Sequence, residues 1–177
     1  MKHEACNMKH KANECMIKVF IENEAGSDKN LPFGQNLSAH SVRSKKNIFD
    51  EKTLEYKKTV TISRVYPFPY GFIPETKSGD DDCLDCFVIT KQKLNSRQVV
   101  ECEPIGLVEQ FEDGQEDHKI LAILKGEDYI LTNEAKELIK EFIEHVFDHL
   151  PKKTKMVKVG KFLDKKAAEE LIQKSFL

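Results

Sequence analysis

The apolar pattern of this chain predicts a mainly β protein with flanking helices, an α+β arrangement in which a compact antiparallel barrel or sheet carries helices against it. Two observations point there. Strand-like segments follow one another from Met16 to Leu124 with no helical repeat between them. Helical periodicity appears only afterwards, in the order helix, strand, helix, which is not the order of alternating βαβ units.

The elements follow in order. Residues 1–15 are polar and without period and read as a flexible N-terminal tail, leaving 16–177 as a single domain. Met16 to Glu22 alternates and is rich in β-formers, so it predicts a strand. Asn23 to Lys46, with its Gly, Ser, Asn and Pro, predicts a long loop, and loops of that length are usually functional or mobile. Thr53 to Ser63 predicts a strand around Thr59, Val60, Thr61 and Ile62. Tyr66 to Gly79, with three prolines and two glycines, predicts a loop of fixed shape. Leu84 to Thr90 predicts a strand. Arg97 to Val108 predicts another, broken near Pro104 and Gly106. Phe111 to His118 is an acidic turn carrying the hairpin signal Asp113-Gly114, and Ile120 to Leu124 returns as a strand. Thr132 or Asn133 caps a helix with apolar positions from Ala135 to Leu150, stopped by Pro151. Met156 to Phe162 is a short strand, and Asp164 caps a last helix whose apolar face is Ala167, Ala168, Leu171, Ile172 and Phe176.

Bulk composition removes several function classes. The net charge of −2 exerts no general pull toward nucleic acid or anionic membrane. No apolar run is long enough to span a bilayer or serve as a signal-peptide core. Five cysteines at irregular spacing predict free thiols in a reducing cytoplasm. His3, Cys6, His10 and Cys15 match no closed zinc pattern. Cys83-Leu-Asp-Cys86 has neither a second pair nor a following helix that would lower a thiol pKa.

The chemistry concentrates at Tyr66 to Thr90. Asp80, Asp81, Asp82 and Asp85 crowd four carboxylates into six residues and run into an apolar strand. Burying such a group is unfavourable unless a cation sits there, and carboxylate oxygens suit magnesium, manganese or calcium. Asp80 and Asp82 share a face of an extended backbone while Asp85 has the opposite parity, so convergence requires a bend after Gly79. Asp85 would share its strand face with Phe87 and Ile89. Glu112, Asp113 and Asp117 lie at the other acidic turn, and adjacency of the two turns would allow two or more cations to be held. The same spacing also fits a solvated acidic loop. An EF-hand is excluded, because the ligands that should follow the D-x-D are missing.

The stretch Asp80-Asp81-Asp82-Cys83-Leu84-Asp85, together with Tyr66-Pro67-Phe68-Pro69-Tyr70-Gly71-Phe72-Ile73, resembles the signature and the tyrosine-proline loop of the magnesium-dependent, soluble family I inorganic pyrophosphatases. Only the position usually held by Pro departs, as Cys83. The resemblance runs from about Ile17 to Phe176 and makes residues 27–45 an insertion. It implies an OB-like five-stranded β-barrel with two C-terminal helices, hydrolysis of pyrophosphate to two phosphates, several Mg²⁺ ions per subunit with Mn²⁺ or Co²⁺ possible, and a homo-oligomer, a hexamer among bacterial relatives. Carried over by position, Asp80, Asp85 and Asp117 would hold the first metal, with Asp85 bridging to a second. Asp82 would be the general base. Glu112, with Asp113 as alternative, would share a third metal with Asp117. Lys119 would contact phosphate, Tyr66 and Tyr70 would line the substrate with Tyr70 reaching a phosphate oxygen, and Glu22 would belong to the outer shell.

Some positions depart from the family. A phosphate-binding arginine becomes Lys58, which keeps the charge without the bidentate fork. An early lysine falls at Lys46, and a glutamate two residues on becomes Ile48. A tyrosine-lysine pair that grips the electrophilic phosphate becomes Val146 and Phe147, which lie on the helix's apolar stripe. Lys152, Lys153 or Lys155 would then supply the missing cation. Two other functions compete. An OB-fold module for single-stranded nucleic acid needs a basic groove with stacking aromatics, and the acidic loops and the absence of Trp oppose it. A pyrophosphatase fold turned to a longer polyphosphate or a nucleotide would follow from the changed phosphate contacts.

Overall fold

The computed structural model describes residues 15–26, 44–151 and 156–177. Its elements, in chain order, are β1 (Ile17–Asn23), β2 (Ser44–Phe49), β3 (Tyr56–Ile62), β4 (Tyr70–Ile73), β5 (Leu84–Val88), β6 (Val99–Glu112), β7 (Gln115–Glu116), β8 (Lys119–Leu124), α1 (Asn133–His145), β9 (Val157–Asp164) and α2 (Lys165–Ser175). Residues 1–14 of the expected tail and most of the long loop, as well as Lys152, Lys153 and Lys155, lie outside the described residues, while Cys15, which the sequence assigns to the tail, is buried with the core.

Strands β1, β4, β5, β8 and β6 pair in that order, and β6 returns to β1, so the sheet closes into a five-stranded ring. A ring with an odd number of strands cannot alternate direction throughout. One pairing must be parallel, and here it is β5 with β8, which corrects the expectation of a wholly antiparallel barrel. Inside the ring lie residues of all five strands, among them Val19, Ile73, Cys86, Cys102 and Ile120, packed with Ala168 and Ile172 of α2. Outside it a second cluster joins Phe87, Ile89 and Leu121 to Ile139, Phe142 and Ile143 of α1. β5 is therefore buried on both faces, with Leu84, Cys86 and Val88 inward and Phe87 and Ile89 outward, as its parity predicts.

The same parity separates Cys83 from Cys86. Cys83 packs beside Phe20, Phe49 and Phe72, while Cys86 enters the ring. Cys83, Cys86 and Cys102 are free and buried, and Cys15 is buried. Burial pushes the Cys102 thiol up to about 12, so it behaves as a small apolar group.

The strand β6 bends at a register shift between Pro104 and Gly106, where the sequence places the break, and still continues to Glu112. Asp113 and Gly114 both adopt positive φ at the hairpin tip, the geometry that this dipeptide favours. Thr132 and Asp164 cap the two helices by accepting from the backbone N–H of Ala135 and Ala167.

Three elements differ from expectation. β2 occupies the end of the predicted loop and pairs with β3, from Ser44 opposite Ile62 to Phe49 opposite Tyr56. β4 lies within the predicted proline-rich loop, because Gly71 lets that strand press against β1: a Cβ there would stand 1.7 Å from the Phe20 carbonyl oxygen. α1 ends at His145, short of Leu150. The Val146 carbonyl accepts from the Ser63 N–H, and the Ser63 hydroxyl accepts from the His149 N–H and bonds its Nδ1. Ser63 thus takes over the groups that a further helical turn would use.

Candidate active site

The parallel pairing of β5 with β8 builds the floor of the site. Cys86 stands opposite Ile120, so the preceding residues Asp85 and Lys119 enter side by side. The Lys119 ammonium lies 2.5 Å from Asp85 Oδ2 and 2.7 Å from Asp117 Oδ2, and Lys119 is only 6% exposed. Burial alone would pull its pKa down, yet the two carboxylates hold it above the ordinary lysine value.

Above this floor a cleft of about 210 Å³ opens. Asp80, Asp82, Asp85, Glu112 and Asp117 line it, with Lys46, Lys119, Tyr66 and Tyr70. The Asp80–Asp85 turn and the β6–β8 hairpin, distant in sequence, therefore meet. Asp81 turns away from them: it takes positive φ and pairs with Lys77 at 2.9 Å on the surface. The Ser78 hydroxyl and the Asp82 N–H both donate to Asp80, which supplies the bend after Gly79.

Tyr70 is buried, stacks on Tyr66 with ring centroids 5.1 Å apart, and shares a hydrogen bond with Asp85. Lys46 lies 5.9 Å from the centre of the Tyr70 ring. Behind them Glu22 accepts from the Phe49 N–H, and burial, reinforced by the charge of Asp85, pushes its carboxyl up to about 7. Val146 and Phe147 belong to the α1 cluster, as the apolar stripe indicates, and with Phe142, Ile143 and Val157 they give the cleft one apolar wall.

The placement of two other residues differs from the sequence-based reading. Lys58 is exposed and does not line the cleft, although its register opposite Ile48 puts it on the hairpin face that carries Lys46. Asp113 accepts from the Met156 N–H at 3.0 Å, so its carboxylate ties the hairpin tip to the start of β9. Two further residues emerge only from the fold. Glu51, in the β2–β3 turn, accepts from the Cys83 N–H at 2.9 Å and lies close enough to Asp82 and Asp85 to feel their charge. Gln110, on β6, lines the cleft and donates to Asp117. Nothing in a lone glutamine or a turn glutamate marks either one in the sequence.

The electrostatics call for more positive charge. Five lining carboxylates face two ammonium groups. Burial raises Asp117 to about 6, and Asp85 opposes the relief that Lys119 gives. Asp82 is raised by burial and by Asp80 and Asp85. Asp85 is half-buried, but Lys119 and Lys46 hold it below the usual carboxylate range. An all-oxygen donor set with excess negative charge fits a hard divalent cation. Among the described residues no three such groups form a ready-made cage, because the Lys119 ammonium stands between Asp85 and Asp117.

The ring and its cleft define an OB-like barrel protein with a carboxylate-rich cleft on the barrel wall. Comparison with known proteins narrows this. The family model for inorganic pyrophosphatase matches residues 19–177. The inorganic pyrophosphatase of Saccharolobus solfataricus is 31% identical over 167 residues, spanning 90% of this chain and 89% of its own. That of Nanoarchaeum equitans is 34% identical, spanning 72% and 84%. The crystal structure of inorganic pyrophosphatase from Thermus thermophilus superposes with a TM-score of 0.73 at 27% identity, over 96% of this chain and 94% of that one. The chain belongs to the inorganic pyrophosphatase family.

Proposed function

We propose that the chain hydrolyses pyrophosphate to two phosphates in this cleft, with divalent cations held by Asp80, Asp85, Asp117 and Glu112. Family membership supports the reaction. The observation that carries the site is the meeting of the Asp80–Asp85 turn and the β6–β8 hairpin around Lys119. Bound cations supply charge neutralisation for the phosphates and acidify water. Mg²⁺ is the natural occupant, with Mn²⁺ or Co²⁺ as alternatives, since oxygen donors admit several.

The chain's own residues do the rest. Asp82 takes the proton of the attacking water, and its raised pKa suits it to that task. Lys119, placed between Asp85 and Asp117, would direct its charge to phosphate oxygens. Lys46 and the Tyr70 hydroxyl bind the same substrate, with Tyr66 behind the Tyr70 ring. Lys58 approaches from the hairpin face, and a lysine among Lys152, Lys153 and Lys155 grips the far phosphate. Glu22 stands behind Lys46 and Asp85, attracted by the ammonium and repelled by the carboxylate. With no covalent step assigned to the protein, positioning and electrostatics supply the catalysis.

The protein works in the cytoplasm, where its buried free thiols stay reduced. It assembles as a homo-oligomer, a hexamer by family. Residues 16–177 form one domain, with about 27–45 an insertion in sequence relative to the family. No described helix is long and apolar enough to cross a membrane. Val146 and Phe147 in place of the family's phosphate-gripping pair leave room for a second substrate class, a longer polyphosphate or a nucleotide. Phosphate release from pyrophosphate, tripolyphosphate and ATP, each with Mg²⁺ and with EDTA, is the decisive assay. Release from pyrophosphate with Mg²⁺ only is expected, and none from pyrophosphate with Mg²⁺ overturns the reading.

A further inference from the structure

Gln110 is a polar residue on β6 that is 6% exposed, and its side chain is divided in an unusual way. Its Nε2 donates to Asp117 Oδ2 at 3.1 Å. Its Oε1 is buried and has no hydrogen-bond partner among the described residues. The orientation of the amide is settled by its neighbour. Asp117 Oδ2 already receives the Lys119 ammonium at 2.7 Å, so Asp117 is an ionised acceptor and the amide must present its nitrogen. The oxygen is left over.

The backbone holds Gln110 in place. Its N–H donates to His118 Nδ1 at 3.1 Å and its carbonyl accepts from the Asp117 N–H at 2.8 Å. The β6–β9 register also shifts between Val108 and Gln110, which aims the side chain at the cleft it lines, next to Glu112 and Asp117. A buried unpartnered acceptor is destabilising unless a ligand satisfies it, so such an atom in a site marks where a donor belongs.

We propose that Gln110 is a positioning residue of the cation site: its amide nitrogen holds Asp117, and its Oε1 accepts from the hydration water of a divalent cation held by Asp117 and Glu112. This rests on the metal-dependent reading above and extends it to a neutral ligand partner. An amide suits the place. It adds an acceptor without adding negative charge to a cleft already in excess, and its second end orients a metal-holding carboxylate.

The test is Mn²⁺ binding to the metal-free full chain, followed by calorimetry without substrate, for wild type, Gln110→Met and Gln110→Glu. Gln110→Met keeps length and removes both polar ends. It is expected to bind Mn²⁺ about 10-fold more weakly, in line with lost outer-sphere partners, while its metal-free melting temperature equals or exceeds that of wild type. Gln110→Glu puts a charged oxygen where Oε1 lies and is expected to bind Mn²⁺ more tightly than wild type. Wild-type binding with Gln110→Met within twofold of it overturns the proposal. Should Gln110→Met not fold, Gln110→Glu decides alone, and unchanged or weaker binding overturns it. Absence of Mn²⁺ binding by wild type removes the metal-dependent reading itself, and this inference with it.

Discussion

Lys119 and Asp85 form a buried ion pair at 2.5 Å on the floor of the cleft, and Asp117 shares the same ammonium. Lys119→Met would leave two partly buried carboxylates without a counter-charge. Breaking such a pair is expected to lower the unfolding free energy by about 3–5 kcal/mol in EDTA. Mg²⁺ is expected to restore much of that loss, because the cation takes over the charge. Urea unfolding in EDTA and in Mg²⁺ checks this, and an unchanged midpoint in EDTA would show that the pair contributes little.

Metal-free stability should fall as pH rises. Glu22 is held at about 7 and Asp117 at about 6 in the folded protein, against about 4 in an unfolded chain. Between those values the folded state binds more protons, so both contributions are fully present near pH 4, are lost through pH 7 and level off above it. At about 1.4 kcal/mol per unit the loss is on the order of a few kcal/mol. Asp85, shifted downward, acts with the opposite sign and only below pH 4. Midpoints measured from pH 4.5 to 8 in EDTA should decline, and a rise over that interval would contradict the assignment.

The acidic turn should divide sharply by function. Asp82→Asn is expected to lower kcat by about 10²–10⁴ as a lost general base, with melting temperature retained. Asp81→Asn is expected to leave kcat unchanged, since that carboxylate faces Lys77 on the surface. Equal effects from the two variants would remove the division of roles.

The two hairpin lysines should differ as their placement does. Lys46 lines the cleft beside Tyr70 and Lys58 stands outside the lining. Lys46→Ala is therefore expected to raise KM for pyrophosphate about 10-fold, and Lys58→Ala by about threefold or less, because an exposed charge is screened. A larger effect at Lys58 would mean that the hairpin moves when substrate binds.

Most of the strands were legible because their apolar residues alternate or run continuously, and both helix starts because Thr132 and Asp164 cap them. β2 was not, since Ser44, Lys45, Lys46 and Asn47 are polar on a hairpin with half-exposed faces. β4 was not, since Tyr70, Gly71, Phe72 and Ile73 are all buried and so lack alternation, between prolines that argue for a loop. The end of α1 is decided by Ser63, far away in sequence. In the site, the acids announced themselves by crowding. Gln110 and Glu51 did not, because a single polar residue gains meaning only from what the fold sets beside it.

The odd number of strands in the ring reaches into enzymology. The one pairing forced to be parallel is the one that places Asp85 beside Lys119, while Glu22, Lys46 and Gln110 arrive on β1, β2 and β6. The acid and its counter-charge are thus held by strand pairing rather than by loop conformation, so a slip of one residue at β5–β8 would part them.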